Sequence, residues 1–586
     1  MNALVDTVRS TWPTLRTVLV NVVAAAALVV AATTAPEAWA TGLVLVGVLA
    51  IAAILRPRLA RPALGLLGTY GAARILLAAA VAVLAARVPD AWPALVAGAV
   101  VALTVAVEAV VARSWRQAGR LVHGLPGGPA MPRSSHLGPW QVAFSLVLVA
   151  LLSFAPWLPP VVDVVVLVGV LVVAGAEAVS VLTAPRVRAR RERELRAALE
   201  AYAPQVMLYI TGPGGTEYQL AAWASVLERV DARIVVVARE HALAEAAART
   251  TSLPVVATPS LADLDALHVP SFRVALYVNN GAKNTHNVRY QDVTHVQLLH
   301  GDSDKPASYN PVTAMFDKVF VAGQAGIDRY ANHGVRIPLD KFEIVGRPQV
   351  VGIERPVVRR AAGTALYAPT WTGFQADANY GSLPVGTEIV RALLDHGLTV
   401  TFRPHPYSAG QPASAQQIAA IEELLAADAA SSGRPHVFGE AASAGRTLPE
   451  CFNEADVLVT DVSSVPADFL FSEKPFVILK MQPGSTAAFL AEFPLARAGY
   501  LAHGDDPSTI GAAVRSAVGD DPLAGTRKEL RTYYLGDLPY EGYEQTFLAA
   551  VRALVETGPV GAAARSGHDA AAPEDGDAAE DAAALG

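Results

Sequence analysis

The chain has 586 residues, 52% of them apolar and only 17% charged, with a net charge of -7. That length exceeds a single domain, and that apolar content excludes an ordinary soluble enzyme. The single cysteine, Cys451, excludes an intrachain disulfide and a thiolate metal cluster, and reads as a small buried hydrophobe in a helix.

The apolar excess lies almost wholly before Pro185, in Val/Ala/Leu runs that meet the ~20 residues needed to cross a bilayer. Six spans are read: Thr17 to Thr34, Trp39 to Leu55, Ala63 to Ala86, Ala91 to Ala112, Trp140 to Leu158 and Val161 to Thr183. Arginines accumulate in short cytoplasmic loops, and their placement alternates as six spans require. Arg9 and Arg16 precede span one; Arg56, Arg58 and Arg61 follow span two; Arg113, Arg116 and Arg120 follow span four; six more, from Arg186 to Arg196, follow span six. Both termini are therefore expected on the cytoplasmic side of the plasma membrane. A cleavable signal peptide does not suit span one, because Val30-Ala-Ala-Thr-Thr-Ala runs straight into further membrane-like sequence. Arg74, Glu108, Asp163 and Glu177 fall within the spans, where pairing between helices is expected before a path for a polar ligand.

The basic stretch after span six continues into Glu192-Arg-Glu-Leu-Arg-Ala-Ala-Leu-Glu200. It is read as a juxtamembrane helix along anionic headgroups or, equally, as a solvated connector. From Gln205 short β-rich runs alternate with Ala-rich helical stretches, the pattern of parallel sheets covered on both faces. One series takes in Val206 to Ile210, Arg233 to Val237, Val274 to Val278, Val293 to Leu299, Lys318 to Val321 and Phe342 to Val345. A second takes in Ala365 to Tyr367, Leu398 to Phe402, Val457 to Thr460 and Phe476 to Leu479. The expected organisation is a membrane domain (1–184), a basic helix (185–204), two Rossmann-like domains (205–355 and 356–557) with a ligand cleft between them, and a disordered acidic tail (558–586).

Chemistry-bearing residues collect at strand ends, the ligand-binding edge of open α/β sheets. His300-Gly301 ends one strand and suits a general base with room for close approach; the bland alternative is a structural histidine. Arg403-Pro404-His405-Pro406 ends another, with prolines that stiffen the backbone and groups suited to phosphate; otherwise it is a turn with a surface arginine. Thr460-Asp461-Val462-Ser463-Ser464 opens the helix after a third, where free N–H groups and hydroxyls cap the helix or receive phosphate. Gly212-Pro-Gly-Gly215 lacks the Lys-Ser/Thr of a P-loop and reads as a tight turn that gives an acceptor room. No histidine or Asp-x-Asp spacing points to a metal, so a metal-independent reaction without a cofactor is expected, and nucleic acid is not an expected partner.

The order of His300-Gly301, Tyr367-Ala-Pro-Thr-Trp371, Arg403-Pro-His-Pro406, and Thr460-Asp-Val-Ser-Ser464 with Asp468 and Lys474-Pro475 resembles the CDP-glycerol glycerophosphotransferase family, the primases and polymerases of teichoic acids. The resemblance implies a GT-B fold and transfer of glycerol phosphate from CDP-glycerol to a polymer hydroxyl, with release of CMP. It implies His300 as base on the acceptor, His405 and Arg403 on the donor phosphates, Ser463, Ser464 and Asp468 around the cytidylyl and glycerol phosphate groups, and Trp371 and Thr372 against the donor. Three positions depart from the family pattern. Asp302 replaces its usual threonine, Gln349 stands where Gly-x-Pro-Arg ends in arginine, with Arg347 a candidate substitute, and Thr372 follows Pro-Thr-Trp in place of a frequent arginine.

The expected protein is a membrane-anchored, cytoplasm-facing transferase. It would move a polyol phosphate, glycerol phosphate first, from a CDP-activated donor to a lipid-linked or membrane-tethered cell-envelope polymer. The alternatives are a GT-B glycosyltransferase using a nucleotide sugar, and a non-catalytic membrane binding or export protein.

Overall fold

The computed structural model describes residues 2–33, 37–55, 70–118, 121–130, 137–301, 303–355, 363–372 and 379–559. Arg56, Arg58, Arg61, Arg120, Asp302, the arginine-rich stretch around 357–360, the start of the third expected span and the acidic tail from residue 560 lie outside the described residues. The chain divides into two compact units, one of residues 1–122 and 127–197, the other of 123–126 and 198–586.

The first unit is helical, with helices Asn2–Ala32, Glu37–Leu55, Gly71–Ala85, Trp92–Ala118 and Leu137–Leu152, and with most of the helix Pro160–Tyr202. Among the described residues three stretches are long and apolar enough to cross a membrane, in the helices Leu15–Ala32, Glu37–Leu55 and Pro160–Tyr202. This corrects the expectation of six. The apolar helices Gly71–Ala85, Trp92–Glu108 and Val142–Leu152 fall short of ~20 residues. The fifth expected span, Trp140 to Leu158, overruns its helix: residues 153–157, which include Ser153 and Pro156, form a turn. The helix at Pro160 continues through Pro185 as far as Tyr202, so the basic stretch prolongs the last apolar helix.

Small residues let these helices approach closely. A Cβ at Gly98 would sit 3.0 Å from the Ala82 backbone nitrogen, and Ala78, Ala80, Ala94 and Ala97 are fully buried. Arg74, 1% exposed, donates to Glu108 at 2.7 Å and through Nε and Nη2 to Ser145 Oγ at 3.0 and 2.7 Å. Glu177 lines the same cavity of about 20 Å³.

The second unit holds two sheets, parallel wherever both neighbouring strands lie wholly within it. The first contains β1 (Val122–His123), β2 (Val206–Ile210), β3 (Ile234–Ala238), β4 (Val255–Ala257), β5 (Val274–Tyr277), β6 (Thr294–Gln297), β7 (Lys318–Val321) and β8 (Phe342–Ile344), in the order β1-β4-β3-β2-β5-β6-β7-β8. The second contains β9 (Thr364–Ala368), β10 (Thr399–Phe402), β11 (Val457–Asp461), β12 (Phe476–Lys480) and β13 (Tyr500–His503), in the order β10-β9-β11-β12-β13. Strands β2, β3, β5, β6, β11 and β12 are buried at every residue; in β2, β3 and β5 this gives unbroken apolar runs, whereas β6 buries Thr294, His295 and Gln297, and β11 and β12 end in the buried polar residues Asp461 and Lys480.

Strands β1, β4 and β13 escape the sequence. β4 has three residues after a proline, and β13 alternates buried and half-buried positions at the sheet edge. Each sheet reverses direction of growth at its first strand, between β2 and β5 and between β9 and β11. Those are the points where carboxyl-end loops part and leave a crevice.

Candidate functional site

At the carboxyl edge of the second sheet the backbone of 403–405 is laid along the end of β9. Arg403 N donates to Tyr367 O at 2.9 Å and His405 N to Pro369 O at 3.2 Å. Pro404 and Pro406 flank His405 and limit its backbone freedom. Asp461, fully buried at the end of β11, accepts from Thr370 N at 3.0 and 3.1 Å, Ser382 N at 2.8 Å and Ser382 Oγ at 2.9 Å. Burial pushes its carboxyl up to about 6, against the pull of Lys305 and these hydrogen bonds. Asp461 thus ties the loops after β9 and β11 together at the reversal point.

His300 follows β6 of the first sheet. Leu299, just before it, has a left-handed backbone (φ 55°), costly for a branched side chain, and Trp223 Nε1 holds its carbonyl at 2.5 Å. His300 Nδ1 lies 3.2 Å from the Val278 carbonyl, which only accepts, so Nδ1 carries the proton and the Nε2 lone pair is left for a base. Burial, reinforced by the charge of Arg347, lowers the imidazole to about 4 despite that hydrogen bond. His405 is also lowered to about 4, by burial and then by Lys305 and His300. Its Nδ1 accepts from Tyr407 N at 3.2 Å, which leaves Nε2–H as the donor of the neutral ring.

The two edges meet. A Cβ on Gly301 would lie 3.2 Å from Ser464 Oγ and 3.3 Å from Ser464 Cβ, so any larger residue here would press on Ser464 and push the β6 loop from it by a few tenths of an ångström. Tyr407 Oη donates to Gly215 O at 3.0 Å, and Lys305 Nζ donates to Thr370 Oγ1 at 3.2 Å. Tyr218 packs edge-on against His300 (5.6 Å between ring centroids), His405 (6.0 Å) and Tyr407 (5.7 Å). Trp371 stacks on His405 at 6.1 Å and meets Tyr407 edge-on at 5.3 Å.

Other residues singled out in the sequence are engaged elsewhere. Arg403 Nη1 donates to the carbonyls of Ala442, Ser443 (3.1 Å) and Arg446 (2.8 Å), closing the turn around the short helix Glu440–Ser443. Cys451 Sγ, 3.9 Å from the same nitrogen, is buried in the helix Leu448–Glu454. Arg347 and Asp468 form a buried two-point ion pair, with the second contact at 3.0 Å, that ties the loop after β8 to the helix Val465–Phe469. Gln349 has neither amide atom hydrogen-bonded. Ser463 Oγ accepts from Val465 N at 3.3 Å, and Thr372 Oγ1 donates to Gln411.

Tyr218, Tyr407 and Lys305 did not stand out in the sequence. Their only signals are adjacency: Tyr218 follows the glycine-rich turn, Tyr407 follows Pro406, and Lys305 lies five residues after His300. Burial lowers the Lys305 ammonium, whose charge Asp461 supports. Among the described residues no three His, Cys, Asp or Glu side chains gather as a metal site.

Residues 357–482 match the family model described as CDP-Glycerol:Poly(glycerophosphate) glycerophosphotransferase. Among solved structures the chain is similar to the wall teichoic acid polymerase TagF (13% identity, 64% of this chain and 96% of that one, TM-score 0.39). It is also similar to a UDP-N-acetylglucosamine 2-epimerase from Listeria monocytogenes (12%, 60% and 97%, 0.41) and a glycosyltransferase from Rickettsia africae (10%, 60% and 98%, 0.39). No curated protein matches the chain.

Proposed function

We propose, from the place of residues 357–482 in the CDP-glycerol:poly(glycerophosphate) glycerophosphotransferase family, that this transferase moves glycerol phosphate from CDP-glycerol to a hydroxyl of a membrane-linked, teichoic-acid-like polymer. The two α/β sheets act as a GT-B pair, with the acceptor at the first sheet and the donor at the second. The observation that carries the reading is the convergence of His300 and His405 on Tyr218 from opposite sheets.

His300 Nε2 takes the proton of the acceptor hydroxyl as its oxygen attacks the β-phosphorus, and CMP departs with the electron pair of the broken P–O bond. Neutrality, kept by burial, makes the base available at physiological pH. His405 offers Nε2–H to a phosphate oxygen, and Lys305 adds a cation held at the rim of the same crevice. Gly301, Ser463 and Ser464 line the phosphate position, and Trp371 and Thr372 the donor. Asp461, Asp468 and Arg347 act by holding loops, and Arg403 by closing the 440–446 turn. The apolar helices anchor the enzyme in the plasma membrane with the catalytic unit in the cytoplasm.

The test is CMP release by the detergent-purified protein with CDP-glycerol and a membrane extract as acceptor. Release that requires the extract and falls at least a thousandfold in His300→Ala is expected. Release unchanged in that variant would refute the assignment.

A further inference from the structure

Tyr218 belongs to the first sheet's crevice yet touches the imidazoles of both motifs. Its ring stands at 90° to His300 and 87° to His405, with centroids 5.6 and 6.0 Å away, so one ring packs edge-on against both imidazoles. Tyr407 and Trp371 extend this wall on the His405 side. The ring is tethered. Its hydroxyl accepts from Gln219 Nε2 at 3.2 Å, Gln219 Oε1 accepts from Asn279 Nδ2 at 2.8 Å, and that nitrogen also donates to Thr211 O at 2.7 Å. Tyr407 is held in turn by Gly215 O, three residues before Tyr218. These anchors are the loops that part at the reversal point of the first sheet.

A base that deprotonates an alcohol also deprotonates water. If water reached the β-phosphorus beside His300, its oxygen would form the new P–O bond and its proton would pass to Nε2. CMP would leave with the electron pair, and the donor would be spent as free glycerol phosphate. We propose that Tyr218 is a positioning residue that determines the choice between acceptor and water: its ring, packed against both imidazoles, keeps water from beside His300 and His405 until a polyol end displaces it. The depressed basicity of both imidazoles, whose first cause is burial, fits a site with little water. The charges acting on them come from Arg347 on His300 and from Lys305 on His405, neither carried by the helix of Tyr218. The inference rests on the transferase reading above.

The experiment compares CMP release from CDP-glycerol by the full-length protein in detergent, with and without membrane extract, for wild type, Tyr218→Phe, Tyr218→Leu and Tyr218→Ala. Wild type is expected to release CMP at least tenfold faster with extract than without it. Tyr218→Ala should raise the ratio of hydrolysis to transfer at least tenfold, Tyr218→Leu, which keeps bulk and folding, about threefold, and Tyr218→Phe should stay near wild type. The inference is overturned if Tyr218→Ala and Tyr218→Leu lower both rates in proportion or change neither, or if wild type hydrolyses donor as fast as it transfers. No release by wild type under either condition overturns the transferase reading itself, and this inference with it.

Discussion

Replacing His300 by glutamine tests the environment of the proposed base apart from the role in turnover assigned to it above. In the folded protein the imidazole sits at about 4 against an ordinary 6.5, so between those values the unfolded chain binds more protons than the folded one. Stability carried by the neutral ring is therefore fully present above pH 6.5, drains away as pH falls toward 4, and levels off below. For a fully shielded imidazole the loss between pH 8 and pH 5 is about 2 kcal/mol, and partial solvent contact reduces it to about 1 kcal/mol. Asp461, pushed up to about 6, works in the opposite direction, because a folded carboxyl raised above its usual value gains relative stability as it is protonated. His405 adds a loss like that of His300. The quantity to measure is thus the gap between wild type and His300→Gln, by thermal unfolding followed through tryptophan fluorescence in detergent at pH 8, 6.5 and 5. Wild type should lose about 1 to 2 kcal/mol relative to the variant across that range. A gap that does not move with pH would show that His300 is not held neutral by burial.

Three further outcomes follow from packing and pairing. Gly301→Ala forces a Cβ to within 3.2 Å of Ser464 Oγ, so transfer should fall about tenfold, and Ser464→Gly in the same chain should restore most of it; no rescue would mean the two loops are not in contact during turnover. Asp468→Asn removes the carboxylate of a buried ion pair with Arg347 and should cost about 3 to 5 kcal/mol in thermal unfolding, with the Arg347→Met/Asp468→Leu pair recovering much of that loss. In the helical unit Glu108→Gln should destabilise on the same scale, because Arg74 is 1% exposed and Glu108 is its counter-charge at 2.7 Å. A melting temperature unchanged in Glu108→Gln would place that pair in contact with water.

What the order of amino acids determined was local. Continuous burial on both faces of a parallel strand leaves a largely apolar run, so Val206 to Ile210, Val457 to Thr460 and Phe476 to Leu479 were legible, along with the position of Arg403 and His405 just past a strand. Val255–Ala257 is too short to show such a run, and Tyr500–His503, at a sheet edge, alternates buried and half-buried positions, which hid both. The helix end before residues 153–157 was also missed, and among the described residues three stretches, where six were expected, are long and apolar enough to cross a membrane. The partnerships were decided by tertiary structure. Nothing in the order of residues says that Tyr218 packs against both His300 and His405, that Arg403 is taken up by carbonyls near residue 442, or that Asp468 is matched to Arg347, 121 positions earlier. Those pairings arise because two parallel sheets bring loops from distant parts of the chain to facing carboxyl edges. There, the removal of water from charged and aromatic groups selects which of them meet.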